Sequence, residues 1–421
     1  MKTGVKKDYI WNTVAGCLKA GETVFMTMLA SRLVGLAPTG IITVAFAVGN
    51  QLLNIGKFGA RNYQVTDTKN QFPWKIYLLE RLISVVIMLI CMFFYLVYVY
   101  QSRQYSYEKL CSIVLVGLIF AVEAIEDVFW GLYQKKGHIT IGAQMFCIRW
   151  SLIFVSYAIV LWTTRNMVYT LIVCLLCSIV TLSIMVRITF PKITGCKVCF
   201  EKINVADWRK CLKLQRATLP VFVMEFCSLY IGNAPKYAID RCMNDEVQAC
   251  YGFVAMPIFV IGLLNTFIYQ PTLVQMATEW QNNKLSEFKK RIKRQVIIVI
   301  CIAITCLTGA YFIGIPVLSL LFATNLMNYK KELIILLLAG MFYAISGYLG
   351  IVITIMRRQK VLVGIYGIVA LIALLFMTEV VSAYGSDYTE ADGQLLYESG
   401  NTRLSFVMKD DEVQSIIYSV K

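Results

Sequence analysis

The stretch Arg32–Asp67, RLVGLAPTGIITVAFAVGNQLLNIGKFGARNYQVTD, sets the layout of the rest of the chain. It reads as the end of one membrane-length helix, a tight turn, a second helix and a basic loop. A partial echo runs from Arg241 to Met276, RCMNDEVQACYGFVAMPIFVIGLLNTFIYQPTLVQM. Arg32 answers Arg241, and Leu52-Leu53-Asn54 answers Leu263-Leu264-Asn265 at nearly the same offset. One helix pair therefore occurs twice, half a chain apart. Internal symmetry of this kind is a feature of secondary transporters.

Working outward, apolar runs recur along nearly all of the 421 residues, of which 58% are hydrophobic and 15% charged. Soluble domains carry about 25% charged residues. Each run of roughly 20 residues is long enough to cross a hydrocarbon core about 30 Å thick. A bilayer forces the backbone to satisfy its own hydrogen bonds, so the spans are expected to be helices. The alternating ten-residue strands of an outer-membrane barrel are absent. The fold class expected is an all-α polytopic membrane protein. Eleven spans are expected, at 11–33, 38–58, 76–100, 110–133, 143–162, 167–189, 217–239, 248–276, 295–322, 332–356 and 360–384. The basic start MKTGVKK is followed by a run holding Lys19 and Glu22 with no clean cleavage site, so Trp11–Leu33 is read as a retained first span.

With the N-terminus inside, inward segments hold about 25 Lys and Arg against about 7 in the outward loops before the tail. This places the N-terminus in the cytoplasm. It also explains KLSEFKKRIKR at 284–294 as a topology determinant near anionic lipid rather than a nucleic-acid patch. The domains expected are a bundle at 1–189, a basic cytoplasmic linker at 190–216, a second bundle at 217–384, and a polar, flexible tail at 385–421. Six spans fall in the first half and five in the second, so the second bundle lacks its last helix.

The cysteines lie mostly within apolar spans, where they behave as small hydrophobes. Cys196 and Cys199 form a lone CxxC, and the only histidine is His138, so no metal site and no cofactor are expected. No P-loop is present, which argues against ATP hydrolysis by this chain.

RLVGLAPTGIITVAFAVGN, then FGARNYQVTD with LLER after it, resemble the first half of bacterial oligosaccharide flippases of the O-antigen and capsular polysaccharide type. NAPKYAID at 233–240, with DEVQACYGFVAMPIFVIGLL after it, resembles the opening of their second half. These flippases sit in the multidrug/oligosaccharidyl-lipid/polysaccharide exporter superfamily. The resemblance covers about residues 1–384 and departs at the end, where the family has a twelfth span. It implies two pseudo-symmetric six-helix bundles around a cavity. It also implies movement of a polyprenyl-diphosphate-linked oligosaccharide from the cytoplasmic to the outer leaflet of the bacterial cell membrane.

Charges inside spans are costly and face a cavity or a partner. Lys19 and Glu22 share a helix face. They read either as a self-contained ion pair or as a cavity pair that meets phosphate or a coupling cation. Glu225 lies at a similar depth on the seventh span. Glu123, Glu126 and Asp127 crowd one end of the fourth span and need cationic neighbours or a proton. They suit a proton or sodium site, or equally a hydrated mouth beside Lys135 and Lys136. Arg149 and Lys236 are candidates for the diphosphate, with Lys19. Arg32 and Arg241 at matched outer helix ends, Asp240 beside them, and Arg61, Gln64 and Asp67 in the cytoplasmic turn are candidate gate or loop residues. Pro220, Pro235, Pro257, Pro271 and Pro316 are kinks or hinges. Trp11, Trp74, Trp130 and Trp162 read as interface anchors.

The function expected is a secondary-active flippase for polysaccharide biosynthesis. It would work by alternating access with proton or sodium coupling, among membrane lipids and beside a polysaccharide polymerase and glycosyltransferases. The alternatives are a multidrug exporter of the same superfamily, and a membrane glycosyltransferase or polymerase. The enzyme readings want a sizeable outward loop or an intramembrane histidine, and the large loops here face inward.

Overall fold

A computed structural model describes residues 2–420 apart from 68–69, 104, 196–202, 259–260, 262–271, 357, 386–393, 400–401 and 410–411. The first half consists of α1 (Lys2–Leu33), α2 (Leu36–Lys57), the short α3 (Ala60–Thr66), α4 (Trp74–Arg103), α5 (Tyr107–Lys135), α6 (Ile139–Thr164) and α7 (Met167–Thr194). The second half consists of α8 (Val205–Cys242), α9 (Asp245–Ala255), α10 (Leu273–Gln281), α11 (Leu285–Gly309), α12 (Ile315–Phe322), α13 (Lys330–Ile355) and α14 (Gln359–Gly385). The membrane part is all-helical and forms two bundles.

Eight of the described helical segments are long and apolar enough to cross a membrane. Of the other three expected spans, two lie in α1 and α5, which have the length but hold Lys19, Glu22 and three carboxylates. The third, 248–276, is helical at both ends, and much of its middle, with Leu263-Leu264-Asn265 and Pro271, lies outside the described residues. So does the CxxC.

Local chemistry sets the helix ends. Ser106, Asn166 and Asn244 accept hydrogen bonds from the N–H groups of Lys109, Tyr169 and Val247, capping α5, α7 and α9. The turn after α2 takes left-handed backbone at Phe58 and Gly59, with φ of 46° and 63°. Pro220 and Pro235 lie within α8, and Pro316 begins α12 after a π-helical turn at 310–314.

Buried apolar side chains centre on Ile42, Phe46, Phe120, Trp150 and Tyr157 in the first bundle, and on Phe253 stacked on Phe322 at 4.0 Å in the second. Large apolar groups also face outward, including Phe93, Phe94, Leu320 and Ile368. That is the surface a lipid solvent requires. The halves meet where α2 packs on α8 and α9. A Cβ at Gly40 would lie 1.7 Å from the backbone oxygen of Asp245, so only glycine allows this approach of α2 to α9.

After Gly385 the described residues carry an antiparallel meander of β1 (Gln394–Ser399), β2 (Thr402–Lys409) and β3 (Glu412–Val420). Ser399 pairs with Thr402, and Lys409 with Glu412. Gly-Asn between two short apolar-containing runs, QLLYES and TRLSFVMK, is a hairpin signal.

Candidate functional site

The first bundle encloses a connected set of charges. On α1, Lys19 Nζ lies 2.8 Å from Glu22 Oε1 and 3.1 Å from Glu123 Oε1 on α5. Lys57, in the last turn of α2, reaches the same Glu123 oxygen at 3.0 Å. Trp150 on α6 donates its indole N–H to Glu123 Oε2 at 3.2 Å. The carboxylates sit behind the amines. The side chains of Glu22 and Glu123 are 3% and 2% exposed, whereas those of Lys19 and Lys57 are 32% and 30% exposed. The polar surface presented here is therefore cationic, although the cluster contains acids. Glu22 Oε2 is buried with no hydrogen-bond partner among the described residues.

Arg149, a candidate for an incoming diphosphate, has a side chain only 1% exposed and paired with a carboxylate. Its Nε donates to Glu126 at 2.8 Å, one terminal nitrogen lies 2.7 Å from Glu126, and the other donates to Ser178 at 3.2 Å. The Glu126 carboxylate on the facing helix meets the guanidinium charge, although the terminal nitrogen nearest it makes no hydrogen bond among the described residues.

Asp127 is held by Arg81 at 3.0 Å and Arg61 at 3.3 Å. Arg81 is fully buried and also donates to the Gly56 carbonyl at 2.8 Å, near the end of α2. Arg61 donates to Gln134 at 3.0 Å and lies 4.1 Å from the Trp130 ring centroid. Gln64 donates to the Val128 carbonyl at 3.2 Å. These contacts pin α3 and the end of α2 to α5 inside one half.

Asp67 closes the following loop. Its carboxylate accepts from the backbone N–H groups of Gln71 and Phe72 at 2.9 and 3.2 Å, from Tyr77 at 3.1 Å and from Lys135 at 3.4 Å. Burial raises its pKa, but these donors outweigh burial and hold it below the usual carboxylate value. Lys135 thus serves Asp67, not the acids of α5.

In the second half, Glu225 on α8 lies across from Asn54 on α2. It lines a cavity of about 370 Å³ with Asn54, Ser228, Tyr343, Thr354 and Tyr366. Lys236, on the same helix, is half-buried and has no carboxylate partner among the described residues.

A second ionic cluster joins the halves at the end assigned outward by charge. Asp240 on α8, its side chain 1% exposed, meets Arg103 of α4 at 3.0 Å and Lys109 of α5 at 2.7 Å, and accepts from Tyr105. Lys109 also contacts Asp245 on α9. Arg32 donates to the Leu321 carbonyl at 2.8 Å and to that of Leu320, so it caps the end of α12 across the interface. Arg241, its sequence counterpart, is exposed.

Lys57, Arg81, Trp150, Arg103, Tyr105, Lys109, Tyr343 and Tyr366 were not singled out in the sequence. Lys57, Arg103 and Lys109 lie at helix ends, where a basic residue reads as a topology or dipole residue. Among the described residues there is no metal-ligand cluster.

Fold and site together define a multi-pass helical membrane protein of two bundles with a charged interior. No protein-family model matches the chain. It is 24% identical over 277 residues to the capsular polysaccharide biosynthesis protein CapF of Staphylococcus aureus, covering 65% of this chain and 68% of that protein. This agrees with the resemblance read from the sequence. Among solved structures it is similar to a multidrug resistance MATE family transporter of the MOP superfamily in an inward-facing conformation, at 17% identity and TM-score 0.49. The match covers 91% of this chain and 96% of that one. It is also similar to a MOP superfamily transporter from Pyrococcus furiosus, at 16% identity and TM-score 0.47, covering 93% and 96%.

Proposed function

We propose that the chain is a secondary-active flippase for a polyprenyl-diphosphate-linked oligosaccharide in a bacterial cell membrane. The observation that carries this reading is the polarity of the interior. Lys19 and Lys57 are about a third exposed while Glu22 and Glu123 are buried behind them. A diphosphate entering from the cytoplasm meets two amines as point charges. Half-buried Lys236 adds a third amine with no competing carboxylate. The backing acids hold the two amines in place inside the bundle.

Closure of the outward end by Asp240, Asp245 and Arg32 corresponds to an inward-facing state, and rocking of the halves carries the head group across. Glu123 and Asp127 are each held by at least two cations, so Glu22, with its free oxygen, is the better carboxylate for a coupling proton or sodium ion. The capsular polysaccharide role of CapF favours a polymerase and glycosyltransferases as functional neighbours.

One observation favours the multidrug reading. Glu225 faces a cavity with Tyr343 and Tyr366, a combination that also suits an organic cation. Binding separates the two. The purified protein is expected to bind farnesyl diphosphate and to lose at least tenfold in affinity in Lys19→Ala/Lys57→Ala. Tight ethidium binding with no farnesyl diphosphate binding would put drug export first.

A further inference from the structure

We propose that the cavity bounded by α2, α8, α13 and α14 is the sugar subsite, receiving the first sugars of the lipid-linked glycan while the diphosphate lies against Lys19 and Lys57. The proposal rests on the flippase reading and adds where, and by which residues, the glycan is recognised.

The cavity holds about 370 Å³, within the range of roughly 300–1,000 Å³ that small-molecule sites occupy. Its lining combines two aromatic side chains, Tyr343 and Tyr366, with hydrogen-bonding groups of both senses on Asn54, Glu225, Ser228 and Thr354. A pyranose ring needs this combination. Its C–H face packs on an aromatic ring, and its hydroxyls require acceptors and donors around the edge. Tyr343 is 46% exposed, so its ring is available to a ligand. Gly347 and Gly350 complete the wall, and a Cβ at Gly347 would meet nothing within 4 Å, which leaves room beside the rings.

One oxygen of the lining awaits a donor. Asn54 Oδ1 is buried with no partner among the described residues. Buried acceptors without donors are uncommon in folded proteins, and a sugar hydroxyl or N-acetyl N–H supplies one.

Geometry links the two subsites. Asn54 lines the cavity, and Lys57, one turn further along α2, contacts Glu123 at 3.0 Å. One face of α2 therefore presents an amide to the sugar and an amine to the diphosphate, in the order in which these groups follow each other in the substrate. The Glu225 carboxylate further selects for sugars that donate hydrogen bonds there, and against a uronic acid at that position.

The test uses the full chain in detergent micelles with three probes. They are farnesyl diphosphate, a farnesyl-diphosphate disaccharide of neutral sugars, and its analogue with a uronic acid first. The wild type is expected to bind the neutral disaccharide more tightly than farnesyl diphosphate, and the uronate more weakly than the neutral one. Tyr343→Ala and Tyr366→Ala are each expected to lose about tenfold for the disaccharide, the size of one lost ring contact, with farnesyl diphosphate unchanged. Tyr343→Phe and Tyr366→Phe keep the ring and the affinity, which separates recognition from misfolding. Glu225→Gln is expected to remove the discrimination against uronate. Equal affinity of the wild type for farnesyl diphosphate and the neutral disaccharide would overturn the subsite while leaving the diphosphate site standing. Ethidium binding that Glu225→Gln abolishes, with no sugar dependence, would also overturn it. Failure of farnesyl diphosphate itself to bind would instead sink the flippase reading.

Discussion

Arg149 shows how a buried charge is to be weighed. Its guanidinium and Glu126 form a pair closed to solvent, and removing one partner of such a pair costs about 3–5 kcal/mol because the other charge is left uncompensated. Arg149→Leu is therefore expected to lower the thermal midpoint sharply in detergent. Arg149→Leu/Glu126→Leu replaces the pair with apolar packing and is expected to recover most of the loss and to retain transport. A double variant that folds well but does not transport would return Arg149 to the substrate path.

Asp67 makes a pH-dependent prediction. Folding lowers its pKa, so the stability it contributes is complete above the unfolded value of about 3.9 and is lost as pH falls through the folded value. Asp67→Asn is thus expected to melt below the wild type at pH 7. The gap should close when melting is followed at progressively more acidic pH below about 4. A gap that does not change with pH would show that the carboxylate is valued for shape and not for charge.

At the scale of elements, the ionic cluster on the outward-assigned end separates two causes of closure. Asp240 and Asp245 come from the second half, and Arg103, Tyr105 and Lys109 from the first. If ion pairs hold this end shut, Asp240→Asn/Asp245→Asn should release it. Spin labels at Ala37 and Glu246, near the facing starts of α2 and α9, should then gain a longer-distance population. An unchanged distribution would assign closure to the packing of Gly40 against Asp245.

The helices were legible because the bilayer sets their length and the apolar runs match it. Turns and caps such as Ser106, Asn166 and Asn244 mark where the runs break. The partnerships were not legible. Spacing rules relate residues three or four apart on one helix, so they found Lys19 with Glu22. Lys19 and Glu123 are 104 residues apart, and Arg103 and Asp240 are 137 apart. Such pairs are made by helix packing, which no local pattern records, and the pairing of Arg149 with Glu126 across the bundle is another.

At the scale of the whole molecule, the two halves divide the polar work unequally. The first half carries the dense network of lysines, arginines and acids. The second offers a cavity with tyrosines, hydroxyls and one carboxylate, closed by α14 packed on α8. That division suits a substrate with an anionic end and a hydroxyl-rich end. The strands after Gly385 stand where a twelfth span was expected from the resemblance. The runs LLYES, RLSFVM and SIIYSV are too short and too polar to cross a bilayer.

The most direct measurement is translocation by the full chain in liposomes. A polyprenyl-diphosphate oligosaccharide is placed in the inner leaflet, and its sugars are followed by an external sugar-modifying enzyme, with and without a proton or sodium gradient. The structure predicts modification that depends on the protein and is lost in Lys19→Ala/Lys57→Ala, while Arg149→Leu/Glu126→Leu remains active. Liposomes that keep the glycan inaccessible under every gradient while exporting ethidium would contradict the central claim.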